Sequence, residues 1–434
     1  MDIPPDLGAE AARTGLSRMA RSMIGSSILK VAGEIRALRE KGVQVADLTV
    51  GDFAPSEFPI PETLKNHLLK AIEQGETNYP PAAGLKSLRL AVQKHLSRTQ
   101  GLDYPLEGIA IVGGARPALY AVYCLLTDPG DTVVYPVPSW NNSNYQDVCR
   151  IQSRVVRCRP RNAFQPTVEE IAPHVAGTRL LVLNTPQNPS GGVMVPSEVE
   201  KFGRLVVEEN LRRRRSGERP FYLLLDQIYR ALVFPGSRHV SPVQLVPECA
   251  PYVVHVDGIS KFCAATGLRL GWMAGPPAIT RKTVAFLTHV GAWAPRPVQV
   301  AATAFLNDEA ASSDWEARMA ARVEERLNLL HGLMQELGKE GFPVTAIAPQ
   351  GAIYISVRFA LQGKRTPQGT VLQNNEDVRA YLLSEAAFAL VPFSAFGVPE
   401  SEEDGWFRAS VGAVSPQVLR ASLPRLRQAL AALR

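Results

Sequence analysis

Three apolar runs, RLLVLN (179–184), FYLLLD (221–226) and YVVHVDG (252–258), each close on a polar residue or a tight turn. A strand that is apolar at successive positions is buried on both faces, as in a parallel sheet covered by helices. A helical pattern starting at Pro196 separates the first two runs. The rhythm extends upstream through IAIV (109–112), a helix from Pro117 to Thr127, DTVVYP (131–136) and SRVVRC (153–158), and downstream to LGWMAG (270–275). Such alternation predicts an α/β fold: a large domain whose mostly parallel sheet carries helices on both faces. Ligands of such sheets gather at the carboxyl ends of the strands.

The flanks read differently. SSILKVAGEIRALREKG (26–42) spaces Ile28, Val31, Ile35 and Leu38 as a helix does, and VQVADLTVGDF (43–53) is a short strand ending at Gly51. Past residue 310 a long helical segment (314–341) precedes AIYISVRF (352–359), a helix, FALVPF (388–393), WFRASVGA (406–413) and a terminal helix. These pieces predict a smaller α+β domain built from the N- and C-terminal segments. The expected division is 1–54, an N-terminal arm and part of the small domain; 55–310, the large domain; and 311–434, the C-terminal small domain.

Composition narrows the class. With 434 residues, 46% hydrophobic and 20% charged, the chain has enough apolar residues for two cores and too few charges for disorder. The net charge of +6 is dispersed except at Arg212–Arg215, which reads as a solvated basic loop because no aromatics interleave with it. Five scattered cysteines lack metal-site or disulfide spacing, which suits a reducing cytoplasm and a site without metal. No stretch of about 20 apolar residues suggests a membrane span.

The polar residues at the strand ends carry the chemistry. Lys261, in DGISKFCAATGLRLGW (257–272), follows a buried strand, where its ammonium is costly unless neutralised or bonded covalently to a carbonyl. A lysine that forms a Schiff base needs an electron sink; pyridoxal phosphate supplies one while a carboxylate keeps its ring nitrogen protonated. Asp226 is that carboxylate, ending five apolar residues. Tyr229, three residues on, and Asn188 in NTPQNPSGG (184–192) are donors for the phenolic oxygen. For the phosphate, IVGGARPALY (111–120) is strand, glycine turn and helix start, offering Gly114 and the backbone amides of Ala115 and Arg116. Arg269 adds a bidentate cation and Ser260 a hydroxyl. Trp140, after VVYPVPS, is a ring to stack on the pyridine, and Arg408 presents a fork that matches an α-carboxylate.

In this order the motifs NYPPAAGLKSLRLAV, NTPQNPSGG, LLLDQIYRAL, SKFCAATGLRLGW, PQGAIYISV and FGVPESEEDGWFRASV resemble the fold-type-I pyridoxal-phosphate enzymes, and among them the class I and II aminotransferases. The similarity runs from LTVGD to FRASVG. It implies Lys261 as Schiff-base and proton-shuttling lysine, Asp226 as pyridinium partner, and Asn188 with Tyr229 as phenolate donors. It further implies Trp140 as stacking ring, Arg269 and Ser260 as phosphate ligands, and Arg408 as carboxylate clamp. Tyr79 matches a tyrosine that reaches the neighbouring subunit's cofactor phosphate, hence an expected homodimer. Gly51 matches a glycine whose backbone approaches the substrate carboxylate. The segment MIGSSILK resembles an N-terminal lid over the substrate side chain, with Ser26, Ser27 and Ile28 as its contacts. Two positions depart: Gly258 stands where many relatives keep a phosphate-binding serine, and Phe393 replaces a usual glycine, which predicts a bulkier turn and weaker cofactor binding.

The resemblance implies ping-pong transamination between an L-amino acid, aspartate by default, and a 2-oxo acid such as 2-oxoglutarate. The same framework serves lyases, decarboxylases, synthases and amino-acid oxidases, because the protein decides which Cα bond breaks. An effector-sensing transcription regulator is disfavoured, since the residues before the first helix are too few for a DNA-binding domain.

Overall fold

The computed structural model describes residues 5–23 and 27–434. Its thirteen described strands are β1 (Ala46–Asp47), β2 (Ile109–Val112), β3 (Thr132–Val137), β4 (Gln152–Arg157), β5 (Thr178–Asn184), β6 (Tyr222–Asp226) and β7 (Val253–Gly258), then β8 (Gly271–Ala274), β9 (Val344–Ala346), β10 (Tyr354–Phe359), β11 (Phe388–Ala389), β12 (Val391–Pro392) and β13 (Trp406–Ser410). Seven form one sheet in the order β2-β8-β7-β6-β5-β3-β4. All its pairs are parallel except those of β8, which runs against both β7 and β2. The fold is thus the expected α/β architecture, with the apolar runs in the middle. Leu180–Leu183, Leu223–Leu225 and Val253–Val254 are buried, whereas β4, with Arg154 and Arg157, is a charged edge that discourages further pairing.

A second, antiparallel sheet of order β12-β13-β10-β9 packs on the helix Glu309–Lys339. That helix buries Val323, Leu327, Leu330, Met334 and Leu337, alternating steps of four and three along one face. Each such side chain contributes about 1.5–3 kcal/mol of burial. Asp308 caps it by accepting from the Ala311 amide. The N-terminal segment joins this unit: β1 pairs in parallel with β11, and the Ser410 amide donates to the Leu48 carbonyl at 2.8 Å.

The helix expected over 26–42 spans Ser27–Glu40, and the strand after it shortens to the two residues of β1. The basic run differs from the expected loop. Arg212–Arg215 form the last turns of the helix Pro196–Ser216, which Gly217 ends in the left-handed region at φ 71°. Glu209 explains the extra turn: it pairs with Arg212 and with Arg213, and Arg213 is buried, donating also to the carbonyls of Val175 and Arg219. No helix among the described residues is long and apolar enough to cross a membrane.

The parallel strands β5, β6 and β7 point their carboxyl ends the same way, so their turns converge. The turn after β5 is clamped to β10. Gly191, at φ 75°, would place a Cβ 2.1 Å from the Tyr354 carbonyl oxygen, while the Gly351 amide donates to the Gly191 carbonyl. Gly191→Ala should therefore lose roughly 2 kcal/mol or more, read as a lower midpoint in denaturant unfolding.

Candidate active site

A cavity of about 690 Å³ lies at those strand ends. Gly51, Ala115, Arg116, Trp140, Asn188, Asp226, Tyr229, Ser260, Lys261, Arg269 and Arg408 all line it. Gly114 sits directly beneath, as the N-cap of the helix Ala115–Leu126. Tyr79 is not brought to the cavity: it is 80% exposed, its ring set edge-on to Trp293 at 5.3 Å. Ser26 lies outside the described residues, and so do the side chains of Ser27 and Ile28.

Lys261 occupies the single helical turn Ile259–Phe262, and its Nζ donates to the Gly51 carbonyl at 2.6 Å. Burial lowers its pKa to about 8; Arg408 and Arg269 push the same way, opposed by Asp52 and Asp226. A neutral amine is the form that attacks a carbonyl. Burial also raises the Asp226 carboxyl to about 7, helped by the charge of Asp257 and opposed by the Ile228 amide and by Lys261. Tyr229 shares a 2.7 Å hydrogen bond with Tyr354, and burial holds its phenol well above the usual range.

Arg408 is 1% exposed, and among the described residues it has no carboxylate partner. Its Nη1 donates to Asn188 Oδ1 at 3.0 Å and its Nη2 to the Thr49 carbonyl at 2.6 Å, while Nε is buried without a partner. The rings of Tyr354 and Phe396 each lie 4.7 Å from the guanidinium carbon. A buried cation without an anion is costly, and a negatively charged ligand would offset that cost.

The far end of the cavity has the chemistry of an anion cradle. The first amides of a helix lack partners within it, which leaves those of Ala115 and Arg116 available, and Pro117 has no amide to satisfy. Arg269 is folded over this end, donating to the Thr266 carbonyl at 2.8 Å and the Gly113 carbonyl at 3.2 Å. At Gly114 the φ of 90° favours glycine, and a Cβ there would meet the Arg269 guanidinium and displace it. Free amides, a guanidinium and the Ser260 hydroxyl fit a phosphate; a lysine and a carboxylate in the same cavity fit the rest of the expected cofactor. Arg116 stacks on Trp140, its guanidinium carbon 4.5 Å from the ring centroid.

The departures from the family pattern have structural reasons. A Cβ on Gly258 would stand 2.6 Å from the Gly271 Cα and 2.7 Å from the Leu270 carbonyl oxygen, so β8 runs too close for a serine. Phe393 does not narrow the cavity: its ring is buried in the core, 5.0 Å from Phe164.

Sequence reading missed several cavity residues. Tyr354 lies within an apolar strand, where a tyrosine reads as packing; yet it pairs with Ser410, two residues beyond Arg408, and so meets the arginine. Asp52 accepts from the Thr266 hydroxyl at 2.6 Å, tying the Gly51 segment to the loop that carries Arg269. Asn184 accepts from the Asn188 amide at 2.7 Å and shapes that turn. The signal for it was its place as the last residue of an apolar strand, the same signal that marks Asp226.

Comparison with known proteins shows the family and agrees with the fold. Residues 43–426 match the family described as aminotransferase class I and II. The aspartate aminotransferase of Rhizobium meliloti (strain 1021) is 31% identical over 411 residues, 93% of this chain and 94% of the relative. A crystal structure of the aspartate aminotransferase from Rhizobium meliloti superposes with a TM-score of 0.86 at 28% identity, covering 96% of this chain and 99% of that one. The aspartate aminotransferase from Thermus thermophilus with maleate gives 0.83 at 27% identity, over 96% and 99%.

The raised carboxyl has a consequence for stability. Between its unfolded value of 3.8 and its folded value of about 7, Asp226 binds more protons in the folded chain, so its contribution declines as pH rises through that window. In cofactor-free protein Asp226→Asn should raise Tm, by more at pH 8 than at pH 5, as thermal unfolding at the two pH values will read.

Proposed function

The chain belongs to the class I and II aminotransferases and is a pyridoxal-phosphate-dependent transaminase, and from that premise we propose that it moves the amino group of aspartate to a 2-oxo acid such as 2-oxoglutarate, with Lys261 as covalent anchor and proton carrier. The observation that carries the site reading is Arg408, a buried cation without a carboxylate partner among the described residues, in the cavity that holds Lys261 and Asp226.

In this reading the amides of Ala115 and Arg116, the Arg269 guanidinium and the Ser260 hydroxyl would hold the phosphate. Trp140 would stack on the ring, and Asn188 and Tyr229 would donate to its phenolic oxygen. When bound, the cofactor supplies an electron sink that makes the substrate Cα–H bond acidic. Asp226 would partner the ring nitrogen, whose positive charge would offset the burial that otherwise keeps this carboxyl protonated. Arg408 takes the α-carboxylate, with the Gly51 backbone beside it. Lys261 would be the covalent anchor and, as a free neutral amine, the group placed to carry the substrate's Cα proton. Its depressed pKa keeps a useful neutral fraction near pH 8.

The choice of aspartate rests on the named relatives and on one further cation. Of the basic side chains lining the cavity, Lys261, Arg269 and Arg408 are committed, which leaves Arg116, held over Trp140, for a distal carboxylate. Cytoplasmic placement suits five cysteines that are all free thiols. A homodimer is supported by Tyr79, an 80% exposed ring held edge-on against the half-buried Trp293.

In a panel of amino donors against 2-oxoglutarate, aspartate should give the highest kcat/KM. Lys261→Ala should lose turnover and the visible absorbance of lysine-bound cofactor, and Arg408→Leu should lower kcat/KM about 10²-fold for every donor. Normal turnover by Lys261→Ala would refute the assignment. If active sites are shared, mixing inactive Tyr79→Ala and Lys261→Ala subunits should restore one working site per hybrid dimer. No recovery on mixing would mean that Tyr79 serves only its own subunit.

A further inference from the structure

Outside the cavity lining lies a buried ionic cluster. Arg230 is 8% exposed and Asp257 1%, and Arg230 Nε donates to Asp257 Oδ2 at 2.8 Å. Arg230 Nη2 also donates to His95 Nε2 and, at 3.4 Å, to Glu316 Oε1. His95 accepts, so its ring is neutral with the proton on Nδ1; burial, Arg230 and Arg98 all disfavour its charged form. The guanidinium carbon of Arg230 lies 5.8 Å from the Phe262 ring centroid.

The placement in sequence is what gives this cluster meaning. Arg230 ends the turn that begins at Asp226 and contains Tyr229. Asp257 precedes Lys261 by four residues, and Phe262 follows it. The Gln227 amide donates to the Val256 carbonyl and the Gly258 amide to Asp257 Oδ1, so both turns are already registered by the backbone. Among the described residues the ion pair adds the one side-chain hydrogen bond between the turn carrying Asp226 and the segment carrying Lys261, beside the contacts of Lys261 with the Tyr229 ring and of Arg230 with Phe262. Glu316 and His95 then fix Arg230 to the helices Glu309–Lys339 and Lys86–Gln100.

We propose that Arg230 and Asp257 are positioning residues for the transamination site: their ion pair sets the Asp226–Tyr229 turn against Lys261 and cancels a second carboxylate beside Asp226. This rests on the reading that Asp226 and Lys261 bind the cofactor. Two electrostatic observations agree with it. Beyond the leading effect of burial, the charge of Asp257 raises the Asp226 carboxyl; burial raises Asp257 itself to about 6, with Arg230 drawing it down and Glu316 pushing it up. Left unpaired, Asp257 would compete with Asp226 for the anionic state the ring nitrogen requires. An ion pair serving stability alone is replaceable by apolar residues of similar volume; a pair that balances charge beside the site is not silent when one partner is lost.

The test is the pH midpoint of the visible absorbance of lysine-bound cofactor, together with the affinity of cofactor-free protein for pyridoxal phosphate. The charged groups facing Lys261 are Asp52, Arg408, Asp226 and Arg269; those facing Asp257 are Arg230 and Glu316. Arg230→Met leaves an extra anion and should raise the midpoint by about half a pH unit. Asp257→Asn leaves an extra cation and should lower it by a similar amount. The double variant should return it close to that of the unaltered protein, and both single variants should bind cofactor about tenfold more weakly. If Arg230→Met does not fold, Arg230→Lys, which keeps the charge and loses the guanidinium geometry, should leave the midpoint in place while weakening cofactor binding. Midpoints that do not move or move the same way in the two single variants, or cofactor binding by Arg230→Lys equal to that of the unaltered protein, would overturn the proposal. Failure of the underlying reading looks different: Lys261→Ala would then retain the visible absorbance.

Discussion

Charged groups confined where water cannot solvate them are the constraint on which this site depends. A lysine pushed toward neutrality, an aspartate pushed toward protonation and an arginine without a counter-ion share one cavity, and each is uncomfortable alone. The discomfort is complementary to a ligand. A cationic ring nitrogen suits Asp226, a carboxylate suits Arg408, and covalent attachment removes the Lys261 ammonium altogether. Binding energy is thereby stored as mismatched charge in the same groups that the cofactor and substrate satisfy.

Much of this was legible in the sequence because a parallel sheet advertises its functional edge. A continuous apolar run belongs to the buried middle of the sheet, so the polar residue that ends it lies where the sheet opens to ligands. Asp226 and Lys261 both stand there, as does Trp140 after VVYPVPS. What escaped detection depends on side chains from distant parts of the chain. Tyr354 looks like strand packing until β10 is laid beside β13, and Asp52 looks like the end of a strand until Thr266 is placed against it. The fate of Arg213 was hidden for a similar reason, since nothing local separates a solvated arginine from one turned inward to the Val175 carbonyl.

The glycines show where family pattern and geometry part company. A hydroxyl looks missing at position 258 in the sequence, yet the backbone of β8 fills that space. In the proposed site the phosphate falls to Arg269, Ser260 and the helix amides instead, with Arg269 lying against Gly114 at the helix end. One close approach excludes a ligand and another admits one. Residue type at these positions is thus dictated by neighbouring backbone and side chains that the local sequence does not reveal.

The pairing of β1 with β11 also orders events during synthesis. Ala46 emerges early but waits for Phe388, and the Leu48 carbonyl waits for the Ser410 amide. The seven-stranded sheet, complete at Ala274, has all its partners long before then. The large unit is therefore free to collapse on the ribosome while the N-terminal segment stays unclaimed, and contacts this far apart in the chain form last. Gly51 and Arg408 meet only when that closure occurs. The strand ends that line one side of the cavity are thus in the chain long before the residues that bring Gly51 and Arg408 together.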